Sequence, residues 1–105
     1  MILSYEVVVD LEAGLVEAFQ AYMRGKHIPE ILETGCFEGA LFEQASPTRF
    51  RTSYLGTKEG VDRYLETHAA HFRADFQAHF PEGATPSRNF WSCVQAWPAE
   101  EGEKP

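Results

Sequence analysis

Hydrophobic and polar residues alternate near the start of the chain. Over residues 2–9 the odd-numbered positions are all apolar, whereas Ser4 and Glu6 at even-numbered positions are polar. Alternation with a period of two, in a segment rich in valine, is typical of a β-strand. The pattern predicts a first strand over residues 2–9, after which Asp10 would cap the following helix.

Two later segments have helical spacing instead. In residues 12–26 the apolar side chains recur every three or four positions, and Gly25 and Pro29 predict a break after them. A short helical turn over 29–34 would then close at Gly35, the expected left-handed cap. The second helix is predicted over 58–80 with Thr57 as its cap, and its apolar stripe consists of Val61, Tyr64, Leu65, Phe72, Phe76 and Phe80.

Three further strands complete the pattern. Residues 36–45 and 48–56 flank a Ser46-Pro47 turn and predict a hairpin, and residues 88–97 predict a last strand. The order βαββαβ is that of the ferredoxin-like α+β sandwich, a four-stranded antiparallel sheet with two helices on one face. In the strand order 4-1-3-2 of that fold, strands one and three lie in the centre.

The second face of such a sheet has no helix to cover it. By strand parity we expect Val8, Phe42 and either Phe90 or Trp91 on that face. An apolar sheet face of this size rarely stays exposed to water. The sequence therefore predicts a homodimer, with two-fold symmetry as the default.

Composition narrows the kind of protein. The 105 residues suit one domain, which we place at 1–97, followed by an acidic tail at 98–105 that we expect to be disordered. The net charge of −7 and the lack of a basic run argue against nucleic acid and membrane partners. Two cysteines, Cys36 and Cys93, are expected to be reduced core residues of a cytoplasmic protein. No phosphate-binding glycine loop, G-x-S-x-G or CxxC sequence occurs, so no cofactor is predicted.

Two groups of polar residues are candidates for chemistry. Glu6 on the first strand faces the region of Arg49 and Arg51 on the third, where a buried pair would either orient a polar ligand or fix the register of a dimer. In the second helix His68, His71, Asp75 and His79 share one flank. Since no His-Glu-x-x-His sequence accompanies them, we interpret these residues as structural and predict no metal site, with His68 kept as a ligand-binding candidate.

The sequence YMRGKHIPEILETGCF at residues 22–37 resembles the most specific block of a bacterial family called domain of unknown function 4286. Residues 2–9, 64–69 and 72–75 add weaker similarity, so the resemblance extends over about 1–97. Similar sequences tend to have a Gln where this chain has Ser53, before Tyr54. The family is similar to the dimeric α+β barrel superfamily, which implies a fold and a dimer but no established reaction.

The resemblance also makes His27 the most interesting single residue. In that superfamily a histidine near the helix break borders the barrel pocket, where it could accept a proton. The alternative is that His27 only fixes the kink. Two functions therefore stay open. One is a homodimer that binds a small molecule or has a structural or regulatory role. The other is a cofactor-independent monooxygenase- or isomerase-like enzyme, in which His27 with Tyr22 or Tyr54 handles a proton.

Overall fold

The computed structural model describes residues 2–98. Its four strands form one antiparallel sheet in the order β2-β3-β1-β4, which is the predicted 4-1-3-2 order read from the other edge. The ferredoxin-like α+β prediction is therefore confirmed. The elements in chain order are β1 (Leu3–Leu11), a 3-10 turn (Ala13–Leu15), α1 (Val16–Tyr22), a π-helical turn (Met23–His27), α2 (Ile28–Glu33), β2 (Gly39–Ser46), β3 (Arg49–Gly56), α3 (Lys58–Thr67), α4 (Ala69–His79) and β4 (Ala84–Ser92).

The core lies between the helices and one face of the sheet. The odd-numbered residues of β1 and the even-numbered residues of β3 project toward the helices, and among them Tyr5, Phe50 and Tyr54 are buried. The core has two clusters, one around Tyr5 and Tyr54 and one around Phe19 and Phe50. Each fully buried aromatic side chain contributes about 1.5–3 kcal/mol by leaving water, so these clusters dominate the stability of the fold.

The first helical segment does not break where the sequence predicted a break. The chain passes from α1 to α2 through the π-helical turn, in which the N–H of Ile28 donates to the carbonyl of Met23. Pro29 lies in the first turn of α2. The N–H groups of a first turn have no acceptor within the helix, so proline loses no hydrogen bond there. The segment closes at Gly35 with a φ of 75°, which confirms the predicted left-handed cap.

The second helical segment is interrupted. The helix predicted over 58–80 is two helices, α3 and α4, which meet at His68. The Thr57 hydroxyl accepts a hydrogen bond from the N–H of Gly60, as predicted for a cap. The corresponding prediction for Asp10 is wrong, because Asp10 belongs to β1 and its carboxylate accepts two hydrogen bonds from Arg49.

The second face of the sheet has no helix over it, and we call it the open face. Its residues include Ser4, Glu6, Val8 and Asp10 of β1, Leu41 and Glu43 of β2, Arg49, Arg51, Ser53 and Leu55 of β3, and Ser87, Asn89 and Trp91 of β4.

Phe42, predicted for the open face, is on the other side, and so is Phe90, which was the alternative to Trp91. Phe42 is paired with Thr52 and Phe90 with Tyr5, and directly paired residues project to the same face of a sheet. Both phenylalanines therefore point toward the helices, where Phe90 stacks on Tyr5 with 5.0 Å between ring centroids. The placement of Val8 and Trp91 on the open face was correct.

The ends of the chain differ in part from expectation. β4 starts at Ala84 rather than at residue 88 and ends at Ser92. Cys36 is buried, as predicted, but Cys93 is exposed, and both are free thiols. The tail predicted for 98–105 lies outside the described residues except for Pro98. In the range 2–98, no helix combines the length and the apolar character that crossing a membrane requires.

Candidate functional site

A small cavity lies between the sheet and the helices. Its volume is about 30 Å³, which is room for one or two water molecules. Of the three residues predicted to handle a proton, His27 and Tyr54 line this cavity, and Tyr22 contacts His27. The wall consists of Tyr5, Val7, Val9, Met23, His27, Ile31, Tyr54, Tyr64, Phe72, Arg73, Phe76, Pro86 and Arg88.

Tyr22 and His27 are joined by a hydrogen bond that the π-helical turn makes possible. The Tyr22 hydroxyl lies 3.0 Å from His27 Nδ1. In a regular α-helix residues five apart point about 140° away from each other. A π-helical turn bonds each residue to the one five positions along, which brings side chains with that spacing to the same side. The pair is therefore a product of the turn.

Asp75 on α4 connects this pair to a positive charge. The Tyr22 hydroxyl donates to Asp75 Oδ2 at 2.7 Å, and Lys26 Nζ donates to the same oxygen at 2.9 Å. These two bonds hold the pKa of Asp75 below its ordinary value, the Lys26 bond having the larger effect. Burial and the hydrogen bond to Asp75 raise the pKa of Tyr22. At neutral pH the carboxyl group is thus ionised and the phenol is protonated.

The position of the proton on His27 follows from these bonds. An ionised carboxylate only accepts hydrogen bonds, so the single hydroxyl hydrogen of Tyr22 points to Asp75. The Tyr22 oxygen then accepts from Nδ1–H of His27. Burial lowers the pKa of His27 from 6.5 to about 4, so the ring is neutral and Nε2 carries a free lone pair. Within residues 2–98, Nε2 makes no hydrogen bond to the protein.

Two buried polar atoms in the cavity wall have no hydrogen-bond partner among the described residues. They are the hydroxyl of Tyr54 and Nε of Arg88. Tyr54 is only 1% exposed, and burial raises the pKa of its phenol. Arg88 projects from β4 beside Val7 of β1. Buried polar atoms are normally paired, so this wall is incomplete as a hydrogen-bonding surface.

The other predicted binding residues are not at the cavity. Glu6 and Arg51 lie on the open face, where within one chain they do not pair with each other. Glu6 accepts a hydrogen bond from Trp91 Nε1 at 2.6 Å, while Arg51 binds Glu43 at 2.9 Å. His68 lies at the junction of α3 and α4, with its ring stacked 6.4 Å from that of Tyr64. In the β1–β3 register Glu6 is opposite Ser53 and Arg51 is opposite Val8, so the two side chains are diagonal neighbours that line one groove on the open face.

The histidine flank of the second helical segment contributes Asp75 rather than a metal site. His79 Nδ1 bonds to the carbonyl of Asp75 at 2.8 Å, and His71 is exposed. Nowhere in the described range do three His, Cys, Asp or Glu side chains come together as a metal site would require. The sequence placed Asp75 on this flank, but no local signal linked it to Tyr22, which is 53 residues away. No feature of the sequence had indicated Arg88 as a residue of the site.

The chain matches a model of a protein family. The family described as Domain of unknown function (DUF4286) matches residues 1–90. No curated protein matches the chain.

Solved structures share the fold at low sequence identity. A cofactor-independent oxygenase, SnoaB from Streptomyces nogalater, is 10% identical with a TM-score of 0.67, and the match covers 92% of this chain and 97% of that one. A monooxygenase from Streptomyces coelicolor in complex with nanaomycin D is 13% identical with a TM-score of 0.68, over 90% and 88% of the two chains. A dimeric ferredoxin-like protein from an uncultured marine organism is 11% identical with a TM-score of 0.67, over 92% and 98%.

Acid should destabilise the fold through His27. The unfolded chain takes up a proton on this side chain near pH 6.5, whereas the folded chain does so only near pH 4. The unfolded state therefore binds more protons between these values, and stability falls as the pH is lowered through this window. From pH 7 to pH 5 the loss assigned to His27 is about 2 kcal/mol. The lowered pKa of Asp75 acts below this window, because the ordinary value of an aspartate is 3.8.

Urea unfolding at pH 7 and pH 5 measures this loss. His27→Gln should remove most of the His27 contribution to the difference between the two pH values. His71→Gln, on the exposed side of α4, should keep the wild-type difference. An unchanged pH dependence in His27→Gln would show that this imidazole is protonated in the folded protein at pH 5.

Proposed function

We propose that this chain, which belongs to the DUF4286 family, binds a small molecule in the cavity beside His27. The observation that carries the proposal is a neutral imidazole held in a fixed tautomer at the wall of an otherwise aromatic cavity. Apolar cavities with a few fixed polar groups are the usual form of small-molecule sites. A strongly shifted pKa in a cavity is a further mark of such a site.

The size of the cavity limits how a ligand enters. Its 30 Å³ accommodates the polar end of a ligand but not an aromatic ring. Arg73 on α4 is the exposed side chain of the wall, and its only hydrogen bond to another side chain of residues 2–98 is a long one to Tyr5, at 3.4 Å. We expect a larger ligand to enter by displacing this arginine.

A thermal-shift screen with small carbonyl compounds, phenols and acids tests the binding function. Ligands of the cavity should raise the Tm of the wild type and of His71→Ala but not that of His27→Ala. His71 is the matched control because it is a histidine of the same helical layer with an exposed ring. If every active compound stabilises all three proteins equally, the ligand lies elsewhere and the proposal fails.

A second candidate function is catalysis by proton transfer, and one observation favours it. Lys26, Asp75, Tyr22 and His27 form a continuous chain of hydrogen bonds that ends at the cavity. Nε2 of His27 would take a proton from a C–H or O–H group of the ligand, leaving an anion in the cavity and an imidazolium beside Tyr22. A base works best with a pKa near the working pH. The pKa of about 4 makes free His27 a weak base, so we place binding first.

The tautomer of His27 tests the proton-transfer candidate. Nitrogen-15 NMR of the imidazole at pH 7 should show hydrogen on Nδ1 and a free lone pair on Nε2. Tyr22→Phe removes the acceptor of Nδ1–H, and we expect it to shift the ring toward the Nε2–H form. Tyr64→Phe, which alters another cavity tyrosine without a bond to His27, should leave the tautomer unchanged. Hydrogen on Nε2 in the wild type would exclude His27 as a base toward the cavity.

We also propose that the protein is a homodimer formed through the open face. Leu41, Leu55 and Trp91 give this face apolar area between ion pairs that are already satisfied within one chain. Leu41 is 53% exposed and Trp91 is 57% exposed. A flat face of this kind suits a symmetric contact with a second copy. A structural or regulatory role would require only the dimer and no bound ligand.

Light scattering after gel filtration tests the dimer. The wild type should have twice the chain mass of 11.9 kDa. Leu41→Asp places a carboxylate on the open face and should give a monomer. Leu65→Asp changes the same residue type, 37% exposed on α3, and should remain dimeric. A wild type at the mass of one chain, or dissociation by Leu65→Asp alone, would contradict the proposed interface.

A further inference from the structure

The charges around the cavity are opposite to those of the chain. The protein has a net charge of −7, yet the cavity wall has two arginines, Arg73 and Arg88, and no carboxylate. Within residues 2–98 neither guanidinium forms an ion pair. Arg88 is partly buried, with its Nε excluded from solvent and unpaired, and a guanidinium in such a position is well suited to bind the oxygens of an anion.

The hydrogen-bonding groups of the wall point to the same chemistry. Arg88 Nε is a donor, and the Tyr54 hydroxyl can donate, and both atoms are buried without a partner among the described residues. Water in the cavity could satisfy their hydrogen bonds but could not balance the charge of Arg88. An anionic oxygen satisfies both requirements at once, because charge-assisted hydrogen bonds to a carboxylate are stronger than those between neutral groups.

From these observations, and resting on the proposed function, we infer that the ligand is a small organic acid whose carboxylate is bound by Arg88 and Tyr54. The carboxylate matches the cavity volume of about 30 Å³, so it can enter as the head group while the rest of the molecule extends toward Arg73. His27 is neutral there and adds no second charge, so Arg88 is the cation that selects an acid over a neutral compound.

Acetate and acetamide are a matched pair of probes, because they have the same size and shape and differ in charge. Backbone NMR shifts of Val7, Ile31 and Phe72 report binding in the cavity, at constant ionic strength and pH 7. Acetate should bind at least about tenfold more tightly than acetamide, and Arg88→Met should remove about tenfold or more of the acetate affinity. Arg49→Met, an arginine of the open face paired with Asp10, should retain wild-type binding.

Tyr54→Phe keeps the test decisive if Arg88→Met does not fold. This variant removes one unpaired hydroxyl and leaves the ring in place. We expect acetate affinity to fall about three- to tenfold while the Tm of the free protein stays equal or rises, because a buried hydroxyl without a partner does not stabilise the fold. A lower Tm would mean that the hydroxyl has a structural partner and would overturn the inference.

The remaining outcomes separate this inference from the proposed function. If acetate binds in the cavity no better than acetamide, or if its binding survives Arg88→Met, the acid specificity is wrong. His27-dependent compounds in the thermal-shift screen would then still support a small-molecule site. If acetate causes no shift in the cavity and the screen yields no His27-dependent compound, both proposals fail.

Discussion

The π-helical turn at Met23–His27 is the constraint on which the candidate site depends. It adds one residue to a helical turn, and the addition brings Tyr22 and His27 together although their spacing would separate them in an α-helix. The same added residue sets the rotation of α2, and with it Ile31, which is 1% exposed in the core. The hydrogen-bond chain and the packing of Ile31 in the core cluster around Tyr5 and Tyr54 are thus two results of one local distortion.

Much of the fold could be predicted from the sequence because its strands and helices have clear periods. The alternation in β1 identified the buried side of that central strand, and Gly35 and Thr57 marked helix ends through local geometry. The edge strands were less predictable. Phe90 and Trp91 are adjacent and both aromatic, so only the register with β1 decides that Phe90 faces the helices. A pattern within one strand does not contain that information.

In the site, too, residues from one short segment could be predicted, whereas residues brought together from distant segments could not. His27 and its neighbour Tyr22 could be singled out because they lie within one short, distinctive block. Asp75 and Arg88 come from α4 and β4, and their roles depend on side chains that meet only after folding. Within one chain Glu6 and Arg51 do not pair, for a related reason. Each residue found a closer partner, Trp91 for Glu6 and Glu43 for Arg51, on a neighbouring strand.

The bond between Trp91 and Glu6 has an optical consequence. The chain contains two tryptophans, of which Trp91 lies on the open face and Trp97 follows the last strand and is 76% exposed. Neither lines the cavity. Of the two indoles, Trp91 consequently reports on what covers the open face, with the carboxylate of Glu6 as its charged neighbour. The tyrosines in the cavity wall are the fluorophores close to its interior. Tyrosine and tryptophan fluorescence therefore report on different sides of the sheet.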